Sequence, residues 1–316
     1  MVTEKEVSAA RGRQVKKSNE LIQKARYKLS LPGQKILLYL ITLIPEGATE
    51  FAPMMFSIPD FCRVCDIQAE GGNYKLLEDA LSDLLTDSAR IWITLENGKR
   101  VPIMWIEKPY IDTLTGKLMV KLDNDMKPYL LNLKGHWTHY ELIYTLRFKS
   151  KYSIRLYEIV KSYHYHNDQP RIQVLSVDDL RALLDAEIYS EYRDFKRRVL
   201  SIAISEINQY TDRDLEIREI KSGRKVQEIE FTISCKSDEA LAEVRKLIGA
   251  PPPRRKRKPR QIDGQMSIPG MTTETRTATE KLDAMRRMHE HLKNQGTTTA
   301  DGYSTITGAQ TEGQAL

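Results

Sequence analysis

Apolar residues recur at helical spacing through most of the first 250 positions, broken by caps, turns and short alternating segments. Residues 1–18 are polar and basic without periodicity and read as a loose arm. Asn19 as N-cap opens a helix through Glu-Leu-Ile-Gln-Lys-Ala. Pro32 suits a first helical turn, so Gln34–Ile44 reads as a buried helix ended by Pro45. Phe56–Ile67 reads as a short helix entered through Ser57 and Pro59, and Gly71-Gly72-Asn73 as a turn. Tyr74–Leu85 follows as a longer helix with Leu76, Leu77, Ala80, Leu81, Leu84 and Leu85 on one face. Ile91–Leu95 and Val101–Glu107 flank Asn97-Gly98, a hairpin signal because both central positions of a type I′ turn need positive φ. Leu118–Leu122 is a further strand, and Met126–Leu133 a turn or short helical segment.

The second half repeats the order. Tyr152–Tyr165 is helical, with Ile154, Tyr157, Ile159, Val160 and Tyr163 toward the core. Val177–Leu184 is a short helix capped by Ser176, with Asp179 completing a box-like pattern. Glu191–Tyr210 is a long helix with Phe195, Val199, Ile202, Ala203 and Ile207 inward. Leu215–Ile220 and Val226–Ile233 alternate around Ser222-Gly223. Each half therefore reads as helix, short helix, long helix, hairpin, the order of a winged helix. The expected fold is α+β: two tandem winged-helix domains at 19–145 and 146–249, after a flexible arm at 1–18.

Residues 250–316 form a basic tail, expected to be mostly disordered. Six of the ten residues 251–260 are Lys or Arg, among prolines that forbid a helix. Residues 272–293 carry a weak helical pattern, and 296–316 are rich in Thr, Gly and Gln. This tail holds +4 of the chain's net charge of +6, so any nucleic-acid surface in the folded part must arise from local clusters. No apolar run approaches the ~20 residues of a membrane span. With no secretory pattern at the start and three cysteines, the expected location is the cytoplasm.

The strongest cluster is Tyr192-Arg193-Asp194-Phe195-Lys196-Arg197-Arg198. With Phe195 and Val199 buried, Tyr192, Arg193, Lys196 and Arg197 project oppositely, and Arg198 adds charge. Such a helix fits a major groove, where Arg reads guanine in bidentate fashion. Lys221, Arg224 and Lys225 at one hairpin tip and Lys99 and Arg100 at the other suit phosphates. A solvated charged helix is the plain alternative; a basic helix coinciding with a basic hairpin tip argues against it. In the first half Asn73, Tyr74 and Lys75 are followed by Glu78, Asp79 and Asp83. Either only that first turn meets DNA, or the first domain serves mainly as a protein interface.

Enzyme chemistry finds little footing. His164-Tyr165-His166 with Tyr157 and Lys161 matches pieces of a rolling-circle nickase, but places them on one helix end with the tyrosine first. His136/His139 and His289/His291 are pairs without further ligands. Cys62 and Cys65 lack the second pair a structural zinc needs. No Gly-rich phosphate loop is present. Neither a catalytic residue nor a cofactor or metal is expected.

Asn19-Glu20-Leu21-Ile22, Tyr27-Lys28-Leu29-Ser30, Gln34-Lys35-Ile36-Leu37 and the stretch Phe148–Glu158 (FKSKYSIRLYE) resemble the replication initiators of iteron-containing bacterial plasmids. Tyr192–Leu200 followed by Ile204–Asn208 is similar to that family's second recognition helix. The resemblance spans about residues 15–235 and implies two winged-helix domains binding direct repeats (iterons) at an origin. It further implies opening of an adjacent A·T-rich region and recruitment of the host initiator and replicative helicase. Dimers formed largely through the first domain would repress their own gene and limit copy number. The family's major-groove helix maps onto Tyr192–Arg198 and its first-domain equivalent onto Asn73–Leu85. A winged-helix transcriptional regulator without initiator activity is the main alternative. Gln265-Met266-Ser267-Ile268 resembles a sliding-clamp docking peptide, with Pro269 where an aromatic is expected; an inert linker is the competing reading.

Overall fold

Each half is built around a Ser-x-x-Asp box that starts its short second helix. The structure, a computed structural model, describes residues 3–67, 73–86, 89–94, 98–107, 109–112, 117–164 and 169–249. In the first half Ser57 Oγ accepts from the Asp60 amide and donates to its carboxylate, opening the helix Ile58–Val64. In the second, Ser176 does the same with Asp179 and opens Val177–Leu183. The reciprocal bonds satisfy amides that a helix start leaves without partners.

Around each box the order recurs: helix, strand, short helix, long helix, hairpin. The first half runs Leu31–Thr42, Met54–Ser57, Ile58–Val64, Asn73–Leu84, then Ile91–Thr94 paired antiparallel with Arg100–Ile103. The second runs Lys151–Tyr163, Arg171–Ser176, Val177–Leu183, the helical stretch from Tyr192 to Tyr210, then Arg213–Ser222 paired with Lys225–Cys235. The strand before each short helix escaped the sequence reading, which took Phe56 into the helix. In the second half that strand pairs with Lys225–Cys235 to give a three-stranded sheet. In the first it pairs instead with Lys117–Val120. Gly98 and Gly223 hold φ of +78° and +63° at the hairpin tips, where a Cβ would be strained.

Residues 4–18, expected to be loose, form regular structure. Thr3 and Glu6 make a reciprocal box at the start of the helix Glu4–Arg11. Arg11 donates from Nε to the Val64 carbonyl (2.9 Å) and from its terminal amine to that of Arg63 (2.9 Å), capping the end of the short helix. Gln14–Ser18 then pairs with Trp137–Glu141. The N-cap of the next helix is Ser18, not Asn19. Asn19 is buried and used elsewhere: its amide donates to the Ser162 carbonyl (3.0 Å) and its oxygen accepts from Thr138 (2.7 Å). A further helix, Asp238–Gly249, follows the second hairpin, with Val244 and Ile248 buried.

The two halves share one contact-dense unit and meet through a buried polar seam. Glu158, 1% exposed, takes the Lys17 ammonium at 2.7 Å and the Tyr140 hydroxyl at 2.6 Å. Arg155 lies one turn away, with a guanidinium nitrogen 3.9 Å from Glu158. It donates to the Ala25 carbonyl (2.8 Å) in the first half and that of Leu183 (3.2 Å) in the second, and stacks on Tyr27. Burial, then Glu158, push the Tyr140 hydroxyl well above the ordinary tyrosine range.

The Gly71-Gly72 turn, Leu95 to Asn97, Tyr165, His166, the whole tail, the Gln265–Ile268 peptide and the His289/His291 pair lie outside the described residues. Among the described residues no helix is long and apolar enough to cross a membrane.

Candidate nucleic-acid interface

The long helix of the second half is not uniformly α-helical. Tyr192–Phe195 and Ser201–Tyr210 are α, but Lys196–Leu200 forms a π turn, in which the Ser201 amide donates to the Lys196 carbonyl five residues back. The wider turn puts Lys196, Arg197 and Arg198 on the surface in succession and both Val199 and Leu200 in the core. It also corrects the sequence expectation for Ile202, which is 44% exposed, while Phe195, Val199, Ala203 and Ile207 are buried as anticipated. The Arg181 guanidinium sits over the Phe195 ring, 5.3 Å from its centroid.

The exposed face carries four cations, three of them paired. Lys196 Nζ lies 2.6 Å from Glu219 Oε1 on the adjoining hairpin strand, and the same oxygen accepts from the Tyr192 hydroxyl at 2.8 Å. Asp194 takes Arg197 at 2.7 Å and stands 3.8 Å from Arg198. Arg193 is exposed and forms no ion pair among the described residues. Tyr192 differs from the sequence reading: it is half-buried, and burial followed by the Glu219 bond push its hydroxyl up. The Lys196 bond, then the Tyr192 bond, hold the Glu219 carboxyl below its ordinary range. The Asp194 pairs are largely solvated, and such pairs contribute ~0–1 kcal/mol, so a phosphate or base edge can replace them.

Lys221, Arg224 and Lys225 are exposed around Gly223. Farther down the hairpin Arg218 makes a two-pronged pair with Glu230. On the first hairpin Arg100 lies over the exposed Trp92 ring, 5.2 Å from its centroid, and Lys99 is exposed. Asn73 and Tyr74 occupy the first turn of their helix, with side chains outside the described residues; Lys75 is exposed. The pairing of Lys196 with Glu219 escaped sequence reading, since 23 residues and a reversal of the chain separate them.

Those nickase fragments that lie among the described residues make structural bonds. Tyr157 is buried and donates to Asp212 at 2.8 Å, and Lys161 bonds the other Asp212 oxygen. Burial would raise the Asp212 carboxyl, but Lys161 and Arg213 with these bonds carry it below its ordinary value. Replacing Tyr157 by Phe is expected to cost about 1 kcal/mol, one hydrogen bond from an acceptor with other donors. A melting temperature lower by ~2–4 °C, with DNA affinity intact, would match. His164 holds the Gln169 carbonyl at 2.9 Å. Cys62 and Cys65 are buried free thiols, Cys65 pushed up to about 12 by burial. Among the described residues no group of three or more His, Cys, Asp or Glu is placed to hold a metal.

Comparison with known proteins agrees with this architecture. The family model for the initiator replication protein domain WH1 matches residues 14–161, and that for the initiator Rep protein domain WH2 matches 176–233. The chain is 31% identical over 140 residues to the PI protein of Escherichia coli, covering 39% of this chain and 46% of that protein's length. It is 26% identical over 225 residues to a replication initiation protein of Escherichia coli, covering 69% of this chain and 68% of that one. Among solved structures, the Pi initiator protein in complex with iteron DNA superposes with a TM-score of 0.57 at 21% identity, over 72% of this chain and 99% of the other. Two winged-helix domains in tandem, each matching its own model and together spanning about two thirds of the sequence, place the chain in the family of initiator Rep proteins.

Proposed function

We propose that the protein initiates plasmid replication by binding direct repeats at its origin, through binding energy and not covalent chemistry. The observation that carries this reading is the exposed basic face of Arg193, Lys196, Arg197 and Arg198, placed beside a basic hairpin in a chain of the initiator family. A relative of the same fold has been solved on iteron DNA, which favours repeats as the ligand. The helix face reads bases in the major groove, and Lys221, Arg224 and Lys225 hold phosphates. Asn73, Tyr74, Lys75, Lys99 and Arg100 give the first domain a second contact, and two linked readers gain from high effective concentration. Opening of A·T-rich DNA, recruitment of host initiator and helicase in the cytoplasm, and a dimer repressing its own gene belong to the same reading. Clamp docking through Gln265–Ile268 is a separable element, removed if a peptide of residues 255–275 fails to retain the clamp.

Lys196→Ala with Arg197→Ala tests the assignment. Each base contact contributes ~1–3 kcal/mol, so repeat affinity at about 0.15 M salt is expected to fall at least tenfold. Unchanged affinity would refute it. Alanine at Arg224 and Lys225 should instead flatten the salt dependence. A plasmid carrying only origin and gene separates an initiator, which maintains it, from a pure repressor, which does not.

A further inference from the structure

We propose that Glu219 is a specificity-determining residue, holding Tyr192 and Lys196 for the cognate site and penalising contact with any other duplex. This deepens the DNA-binding reading above and rests on it. Along the strand Arg213–Ser222, Leu215, Ile217 and Glu219 fall on one side, the side that packs toward the long helix. The alternation that buries Leu215 therefore aims a carboxylate at the helix start, where it is 23% exposed.

Both bonds to Glu219 land on Oε1. Among the described residues Oε2 receives no side-chain or backbone donor. The carboxylate thus couples helix to hairpin with one oxygen and leaves the other open to a further donor. Asp194 also pairs cations, but it is 44% exposed and its partners lie on its own helix, so it fixes no relation between elements.

Consider what each DNA meets. A phosphate seeking Lys196 must displace Glu219 and then faces its charge. An arbitrary duplex offers nothing in return. A base presenting an amino group, cytosine N4 or adenine N6, can donate to the open oxygen while Lys196 and Tyr192 stay fixed. Discrimination thus arises from an element repulsive to wrong partners as much as from attraction to the right one.

Glu219→Gln tests this in the full-length protein. It keeps side-chain length and an acceptor but removes the charge. Binding is measured to a duplex carrying the origin repeat and to a shuffled duplex of equal length, over a range of salt. Freed Lys196 adds one phosphate contact, so the salt slope for shuffled DNA is expected to steepen by about 0.9, raising its affinity about tenfold near 0.1 M salt. Repeat affinity gains less, so the ratio of the two falls. Glu219→Ala should raise shuffled binding equally and lower the ratio further, since repeat binding also loses the acceptor. Unchanged shuffled affinity and slope in Glu219→Gln would overturn the proposal, as would equal weakening toward both duplexes, the mark of a merely structural role. Were the unaltered protein itself unable to tell repeat from shuffled DNA, the underlying DNA-binding reading would fall with it.

Discussion

Glu158→Ala should destabilise the fold by about 3–5 kcal/mol, a large part of the ~5–15 kcal/mol that holds a typical protein folded. The cost comes less from the lost attraction than from what remains. Lys17, 4% exposed, would keep a charge with no counter-ion, and the buried Tyr140 hydroxyl would lose its acceptor. Lys17 comes from the strand Gln14–Ser18 and Glu158 from the helix Lys151–Tyr163, so the damage falls on the seam between halves. Denaturant unfolding measures it. Combining Glu158→Leu with Lys17→Met removes both charges and should recover part of the loss, because a buried pair is often no better than well-packed apolar groups, while the Tyr140 hydroxyl still lacks its acceptor. A single-mutant cost below about 1 kcal/mol would show the seam to be hydrated and the pair unimportant.

Phe195→Ala carries the second large effect, about 3–5 kcal/mol. The ring is fully buried, sits under Arg181, and anchors the first turns of the helix that bears the basic face. Truncation leaves a cavity where the helix meets its domain, and no neighbouring residue can fill an aromatic volume without backbone movement. The midpoint of denaturation should drop at unchanged slope, and repeat binding should decline with the folded fraction as temperature rises. Arg197→Ala is the contrast: the side chain is exposed, so stability should stay within ~0.5 kcal/mol while binding falls. Equal stability of Phe195→Ala and the parent protein would mean the helix is not held by its apolar side.

These contrasts show which features a sequence displays. Local chemistry was legible: Gly98 and Gly223 mark the hairpin tips because positive φ suits glycine, and Ser57 and Ser176 start helices because their hydroxyls reach amides three residues on. The basic cluster at 192–198 was legible as a surface because Phe195 and Val199 fix its phase. The strand Gln14–Ser18 was not, since Lys17 looks like a solvent residue until Glu158, far along the chain, becomes its buried partner. The helix before it carried a readable Thr3-x-x-Glu6 signal that the polar composition obscured. The half-burial of Tyr192 was not legible either, because it depends on Glu219 from a later strand.

The π turn at 196–200 has a consequence for insertions and deletions. Excising one residue there would restore an uninterrupted α register with Phe195 and Ala203 seven positions apart, about 700° of turn, so that both would still share one face. What would change is the run between them, in which Lys196, Arg197 and Arg198 now stand exposed in succession. Chain length in this turn thus sets how many cations can stand side by side on the ridge, and a relative lacking that single extra position would offer DNA a shorter run of them.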